Sequence, residues 1–173
     1  MLNACSVAAG DSAARRSLRW FAIALVVIVL DQLTKIYFNG SYQFGEQREV
    51  IPGVLNFTLL YNPGAAFSFL AGAGGWQKYF FTLLAFGVSG WLGWNIVKGR
   101  FSCLMNLAAS FIIGGALGNV IDRIRLGKVV DFLDFYWGAH HWPIFNLADI
   151  AICVGVGLLI LDSLLGREKP HGA

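Results

Sequence analysis

Charge is scarce in this chain. Asp, Glu, Lys and Arg together make up 13% of its 173 residues, roughly half of the ~25% found in an ordinary soluble domain. With 57% hydrophobic residues and a mean hydropathy of +0.62, that shortage excludes the soluble globular class and points to an integral membrane protein. The net charge is only +3, and the basic residues form no patch or stripe, which excludes a nucleic-acid surface. Cysteine is sparse as well. Cys5, Cys103 and Cys153 stand alone with no CxxC pair or metal-ligand spacing, and the last two read as small apolar residues inside hydrophobic runs. Histidine is limited to His140 and His141, adjacent in one loop, and His171 near the end. Without an HExxH motif a zinc site has no support. The lack of a GxSxG motif disfavours a serine nucleophile. No internal repeat is visible, which argues against a secondary transporter.

What the chain does have is four long apolar runs, at about 20–38, 76–97, 101–121 and 145–165. The first is roughly 28 Å long as a helix, enough to cross the hydrocarbon core. Arg15, Arg16 and Arg19 precede it and no small-residue cleavage site follows, so it reads as an uncleaved span. The expected architecture is one integral membrane domain, 1–173, mainly α. Four transmembrane helices carry a small β-sheet between spans 1 and 2, and a short loop or helix joins spans 3 and 4. Residues 1–14 read as a disordered cytoplasmic tail. Val50 to Leu60 is rich in strand-favouring residues but broken by Pro52, Gly53 and Asn56, which predicts two or three short strands lying on the membrane surface. Trp76 and Tyr79 at one end of the second run, with Trp91 and Trp94 toward the other, resemble interfacial belts. Gly114 and Gly118 form a GxxxG that permits close helix approach.

Basic residues set the expected orientation. Arg15, Arg16, Arg19, Lys98, Arg100, Arg167 and Lys169 fall on one side of a four-span topology, and Arg48, Lys78, Arg123, Arg125 and Lys128 on the other. Three arginines precede the first span and none shortly follows it, so by the positive-inside rule the first side is cytoplasmic, with both termini there and segments 40–75 and 122–144 facing outward.

Against this background a few polar residues stand out. Asn119, Asp122, Asp131, Asn146 and Asp149 lie beside or within the apolar runs. An ionisable group at membrane depth costs several kcal/mol and usually faces a protein interior or a water-filled cavity where it has a task. The span ending near Ile121 and the span starting near Phe145 return to the same face, so Asp122, Asp131 and Asp149 can lie at similar depth. Two close carboxylates sharing one proton can activate a water and protonate a leaving group. Asp149 is also three residues beyond Asn146, which reads equally well as a capping box at the start of a helix. Asp31 and Lys35 are one helical turn apart and can pair, either as an interfacial ion pair or as support for the site. Asn62, before Pro63 and Gly64, reads locally as a turn residue.

Taken in order, DQLTK (31–35), NPGAAFS (62–68), GGALGNVIDR (114–123), VVDF (129–132) and FNLAD (145–149) closely resemble the bacterial lipoprotein signal peptidase (signal peptidase II) family, over roughly Arg15 to Leu165. The resemblance implies a four-span inner-membrane aspartyl endopeptidase that removes the signal peptide from a prolipoprotein, cutting just before its diacylglyceryl-modified cysteine. It implies Asp131 and Asp149 as the catalytic pair. Asn62, Asn119, Asp122, Arg123, Asn146, Asp31 and Lys35 match positions that support the site or hold substrate. It further implies an extracytoplasmic β-cradle over 40–75 and a helical flap within 137–144. The partners implied are the lipid-modified prolipoprotein and membrane lipids, with a monomeric enzyme and neither cofactor nor metal.

Overall fold

The computed structural model describes residues 13–64 and 75–166; the expected N-terminal tail up to residue 12, the 65–68 part of NPGAAFS, and Arg167 and Lys169 lie outside these. Four helices form the body: α1 (Ala13–Ser41), α2 (Gln77–Val97), α3 (Cys103–Leu126) and α4 (Leu147–Gly166). All four are long and apolar enough to cross a membrane. Their outward faces are lined with Leu, Val, Ile and Phe, as expected where the solvent is lipid rather than water. α3 packs against each of the other three and starts at Ser102, whose hydroxyl accepts from the Met105 N–H at 2.9 Å. It ends at Gly127, whose φ of 72° suits the left-handed conformation common just past a helix C-terminus.

Small residues set the seams of the bundle. A Cβ at Gly114 would lie 2.6 Å from the Val27 Cβ and 2.8 Å from the Ala24 carbonyl, and one at Gly118 would lie 2.6 Å from a carboxylate oxygen of Asp31. The GxxxG is therefore the α1–α3 contact. Gly155 does the same for α4, facing the Ala108 carbonyl of α3. In lipid, such close approach supplies van der Waals contact where no hydrophobic effect drives the helices together.

The sheet is built from both inter-helix segments. β1 (Gln47–Ile51) and β2 (Leu55–Asn62) lie between α1 and α2, and β3 (Val129–Trp137) and β4 (His140–His141) between α3 and α4; the order is β1-β2-β3-β4, antiparallel throughout. Its inner face buries Leu59, Val130 and Phe132 against Phe38 of α1, with the Phe38 and Phe132 rings stacked at 4.1 Å.

Two expectations need correcting. The third helix does not end near Ile121 but runs to Leu126, so Asp122 and Arg123 sit in its final turns rather than in a loop. The segment 137–144 contains no helical flap. Trp137 ends β3, Gly138 turns the chain with a φ of 60°, and β4 pairs back through Tyr136–His141 and Trp137–His140. VVDFLDFYW is rich in β-branched and aromatic residues, which favour a strand, and it pairs with β2 on one side and β4 on the other.

If the α1–α3 seam depends on Gly114, Gly114→Ala drives a methyl group into Val27 and the Ala24 backbone. It should destabilise the folded protein by about 1–3 kcal/mol, as overpacking does. Gly90→Ala, where nothing lies within 4 Å, should be neutral or slightly stabilising. Thermal unfolding in detergent distinguishes them, and equal melting temperatures for the two variants contradict the seam.

Candidate active site

At the sheet end of the bundle a buried network joins three helices and a strand. Its cation is Lys35, only 2% exposed. The ammonium group lies 2.9 Å from Asp31 Oδ2, 3.0 Å from Asp122 Oδ2 and 2.8 Å from Asn119 Oδ1. Three donors thus meet three acceptors, as burial of a charge requires. Asp31 is 0% exposed, so the pair with Lys35 is buried within the bundle, where it supports the surrounding network. Its other oxygen accepts from the Ala148 N–H at 2.9 Å, which ties α1 to the first turn of α4. Asp122 Oδ2 accepts from the Val130 N–H at 3.1 Å and so holds the start of β3.

Asn119 connects this network to the two aspartates. A lysine can only donate, so Lys35 forces the Asn119 carbonyl toward itself and turns the amide Nδ2 outward. That Nδ2 donates to Asp149 Oδ1 at 2.9 Å. Asn146, fully buried, completes the link. Its Nδ2 reaches Asp131 Oδ1 at 2.6 Å and Asn119 Oδ1 at 3.2 Å, and its own Oδ1 accepts from the Asp149 N–H at 3.0 Å. The Asn146 N–H points at Asp149 Oδ2 at 3.3 Å. The capping box expected from the sequence is therefore present, and the carboxylate in it is the one that faces Asp131. The two readings of Asp149 do not compete.

Asp131 reaches this point from the sheet. β2 and β3 change register by one residue between the Phe57–Leu133 and Leu60–Asp131 pairs, a bulge that re-aims the strand beside it. Asp131 is buried and also accepts a hydrogen bond from Asn62. The Asn62 Oδ1 meanwhile accepts from the Gly64 N–H at 2.9 Å, so Asn62 is both a turn residue and a partner of Asp131. Burial, and next the negative charge of Asp149, push the Asp131 carboxyl up to about 7, against the lowering effect of its bonds to Asn146 and Asn62. Near neutral pH the pair therefore retains a proton, the condition under which one carboxyl can act as base and the other as acid.

Arg123 donates to the Gly64 carbonyl at 3.1 Å and lies over the Phe81 ring at 5.5 Å. It holds the turn after Asn62 next to α3. The structure thus brings together Asn62, Asn119, Asp122, Arg123, Asp131, Asn146, Asp149, Asp31 and Lys35. One further member had no distinctive sequence signal. Gln32, beside Asp31, donates to Asp122 Oδ1 at 3.0 Å and to the Gly118 carbonyl at 3.1 Å, and only the packing of α1 on α3 reveals it. Asp134, flanked by apolar residues much as Asp131 is, goes elsewhere. Three positions along a strand reverse the face, and it binds Asn56, Thr58 and His141.

The network should leave a mark on stability. Asp131 has a higher pKa folded (about 7) than unfolded (about 3.9). Its stabilising effect is complete below the unfolded value and is lost as pH rises through the folded one. Asp131→Asn removes the ionisation. The variant should melt above the parent protein at pH 8, by a margin that narrows toward pH 5. A margin that is constant across this range contradicts the raised value.

Comparison with known proteins matches this arrangement to a family. The family model for signal peptidase (SPase) II matches residues 23–165. A lipoprotein signal peptidase of Chromobacterium violaceum is 64% identical over 153 residues, 88% of this chain and 93% of the relative. One from Neisseria meningitidis is 52% identical with the same coverage. Another, from Shewanella loihica, is 50% identical over 156 residues, 90% of this chain and 91% of the relative. Among solved structures, a bacterial membrane enzyme determined at 2.3 Å superposes with a TM-score of 0.79 at 34% identity, covering 90% of this chain and 93% of that one.

Proposed function

Because this chain belongs to the signal peptidase II family, we propose that Asp131 and Asp149 are its catalytic pair, acting on a lipid-modified prolipoprotein just before the diacylglyceryl cysteine. The enzyme is a lipoprotein signal peptidase of the aspartic type. The observation that carries the assignment of the pair is the amide link. Asn146 and Asn119 each direct an N–H at one of the two carboxylates, and Asp149 raises the Asp131 pKa by its charge.

The chemistry follows from the shared proton. The ionised carboxylate takes a proton from a water whose oxygen attacks the scissile carbonyl carbon. The protonated partner gives its proton to the leaving amine nitrogen as the C–N bond breaks. The proton belongs to the pair, so the roles are assigned to it jointly. Asn62, Asn119 and Asn146 hold the carboxylates in place. Lys35, Asp31 and Asp122 hold the elements that carry those amides, and Arg123 anchors the turn at Gly64. A site at the end of a helical bundle suits a substrate whose acyl chains remain in the bilayer while its peptide bond reaches the interface. Membrane lipids are then the second partner, and a monomer contains every group named here.

We place the protein in the bacterial inner membrane with both termini cytoplasmic and the aspartates near the periplasmic face. Arg15, Arg19, Lys98 and Arg100 all belong to the opposite end of the bundle, as the positive-inside rule expects of the cytoplasmic side. A reporter inserted at Gly45 should read periplasmic and one after Leu165 cytoplasmic. Cytoplasmic signal at Gly45 overturns the orientation.

Asp149→Asn separates catalysis from capping. Asparagine still caps a helix, and a lost cap costs only about 0.5–2 kcal/mol, but its amide does not take up or release a proton as a carboxyl does. The variant should unfold near the parent temperature while cleaving a lipidated prolipoprotein several orders of magnitude more slowly per folded molecule. Near-normal specific activity removes Asp149 from the pair.

A further inference from the structure

Beside Asp149, on the flank of α4, lies a cavity of about 320 Å³. One wall is α4 itself, through Ile150, Cys153 and Val154, and the other is the loop leading into that helix, through Ile144 and Phe145. Asp149 is the only charged residue among the described residues that line it. The residues that α4 buries are Ala148, Ala151 and Gly155, whereas Ile150 and Val154 are 38% and 44% exposed. The cavity therefore opens on the side of α4 turned toward lipid. Its loop wall is fixed in place. The Phe145 N–H donates to the Leu133 carbonyl at 3.1 Å, and the Phe145 carbonyl accepts from the Leu133 N–H at 2.8 Å and the Phe132 N–H at 3.0 Å. The Phe145 ring stacks on that of Phe135 at 5.8 Å.

The walls decide what can occupy this space. A peptide segment would bring amides to a place where the Phe145 backbone is already committed to β3, and a buried amide without a partner is costly. A phosphate headgroup would meet the Asp149 carboxylate and otherwise apolar side chains. A hydrocarbon chain meets neither penalty. Transfer out of the bilayer does not by itself draw a chain in, because lipid is as apolar as the cavity. The chain has to be brought there by a tether. In the proposed reaction the residue that carries the leaving nitrogen also carries the diacylglyceryl group, so both acyl chains start a few bonds from Asp149. Cys153 and Val154 lie four and five residues beyond Asp149, about 6–8 Å further along α4, on the path such a chain takes into the hydrocarbon.

We propose that this cavity is an acyl-chain subsite, which takes the first part of one of the two chains of the substrate's diacylglyceryl group while the other stays in the bilayer. The inference rests on the peptidase reading above. Ile150, Cys153 and Val154 are then specificity-determining residues for the lipid, and they anchor the lipid-bearing cysteine beside Asp149. The chain lies in the cavity both before and during cleavage, so losing its place raises KM and leaves kcat nearly unchanged.

The test uses the full chain in detergent and two prolipoprotein peptides that differ only in their diacylglyceryl chains, dipalmitoyl or dibutyryl. Val154→Trp fills the cavity from the α4 side. It should raise KM for the dipalmitoyl peptide about tenfold, while KM for the dibutyryl peptide and kcat for both stay within about twofold of the parent. Partition of each peptide into detergent is the same for both proteins, so the ratio of variant to parent isolates the cavity. Leu161→Trp, on an exposed residue of α4 further from Asp149 and outside the cavity, should alter neither KM. Thermal unfolding checks that each variant is folded, and Ile150→Trp takes the place of Val154→Trp if the latter is not. No change for either peptide leaves the cavity to bulk lipid, and an equal change for both marks a general perturbation; each overturns the subsite while the peptidase reading stands. A parent protein that cleaves neither peptide overturns both.

Discussion

A single buried ammonium group organises the functional end of this protein. Lys35 is surrounded by Asp31, Asp122 and Asn119, and each of these acceptors governs another element. Asp31 holds the first turn of α4 and Asp122 the start of β3, while Asn119 presents its amide to Asp149. A charge buried this deeply is tolerated only when paired and hydrogen-bonded, and removing one partner of such a cluster typically costs about 3–5 kcal/mol. The penalty acts as a constraint on geometry. Any displacement of α4 or β3 that separated the aspartates would also expose or orphan part of the cluster.

The two aspartates approach from different kinds of backbone, and each borrows a local device. Asp131 comes from a strand beside a bulge, and strand alternation puts it on the face opposite its neighbours Val130 and Phe132, which pack on Phe38. Asp149 comes from the first turn of a helix, where the capping box with Asn146 orients its carboxylate and the helix dipole favours a negative charge. Asn146 serves both, capping one aspartate and donating to the other. The same three-residue interval that begins the helix thereby sets the relation between the carboxylates.

Buried carboxylates and amides gather where the sheet meets α3 and α4. The sheet contributes through Asp131 and Asn62, and its β1 edge is exposed along its full length.

The sequence by itself determined the class, the four spans and the polar residues proposed for the chemistry. Long apolar runs have only one economical solution in lipid, and a few polar residues in so apolar a chain are conspicuous. VVDF and FNLAD could be read as bearing a carboxylate pair because their apolar neighbours leave little else for an aspartate to do. The tertiary structure alone decided which polar groups meet. Asp131 and Asp134 have nearly the same flanks, and only strand alternation and the β2 register send one to Asp149 and the other to His141. Gln32 and the buried position of Asp31–Lys35 depend on how closely α1 approaches α3, which Gly114 and Gly118 allow. The β3–β4 hairpin, expected as a helical flap, extends a strand whose other partner, β2, lies far back in the chain, pairing Asn62 with Val129 and Leu55 with Phe135. Hydrophobicity and local capping act within a helical turn or a span and are written in neighbouring residues. Strand pairing, hydrogen-bond direction and ion-cluster membership are relations between distant segments, and they are defined only once the chain has packed.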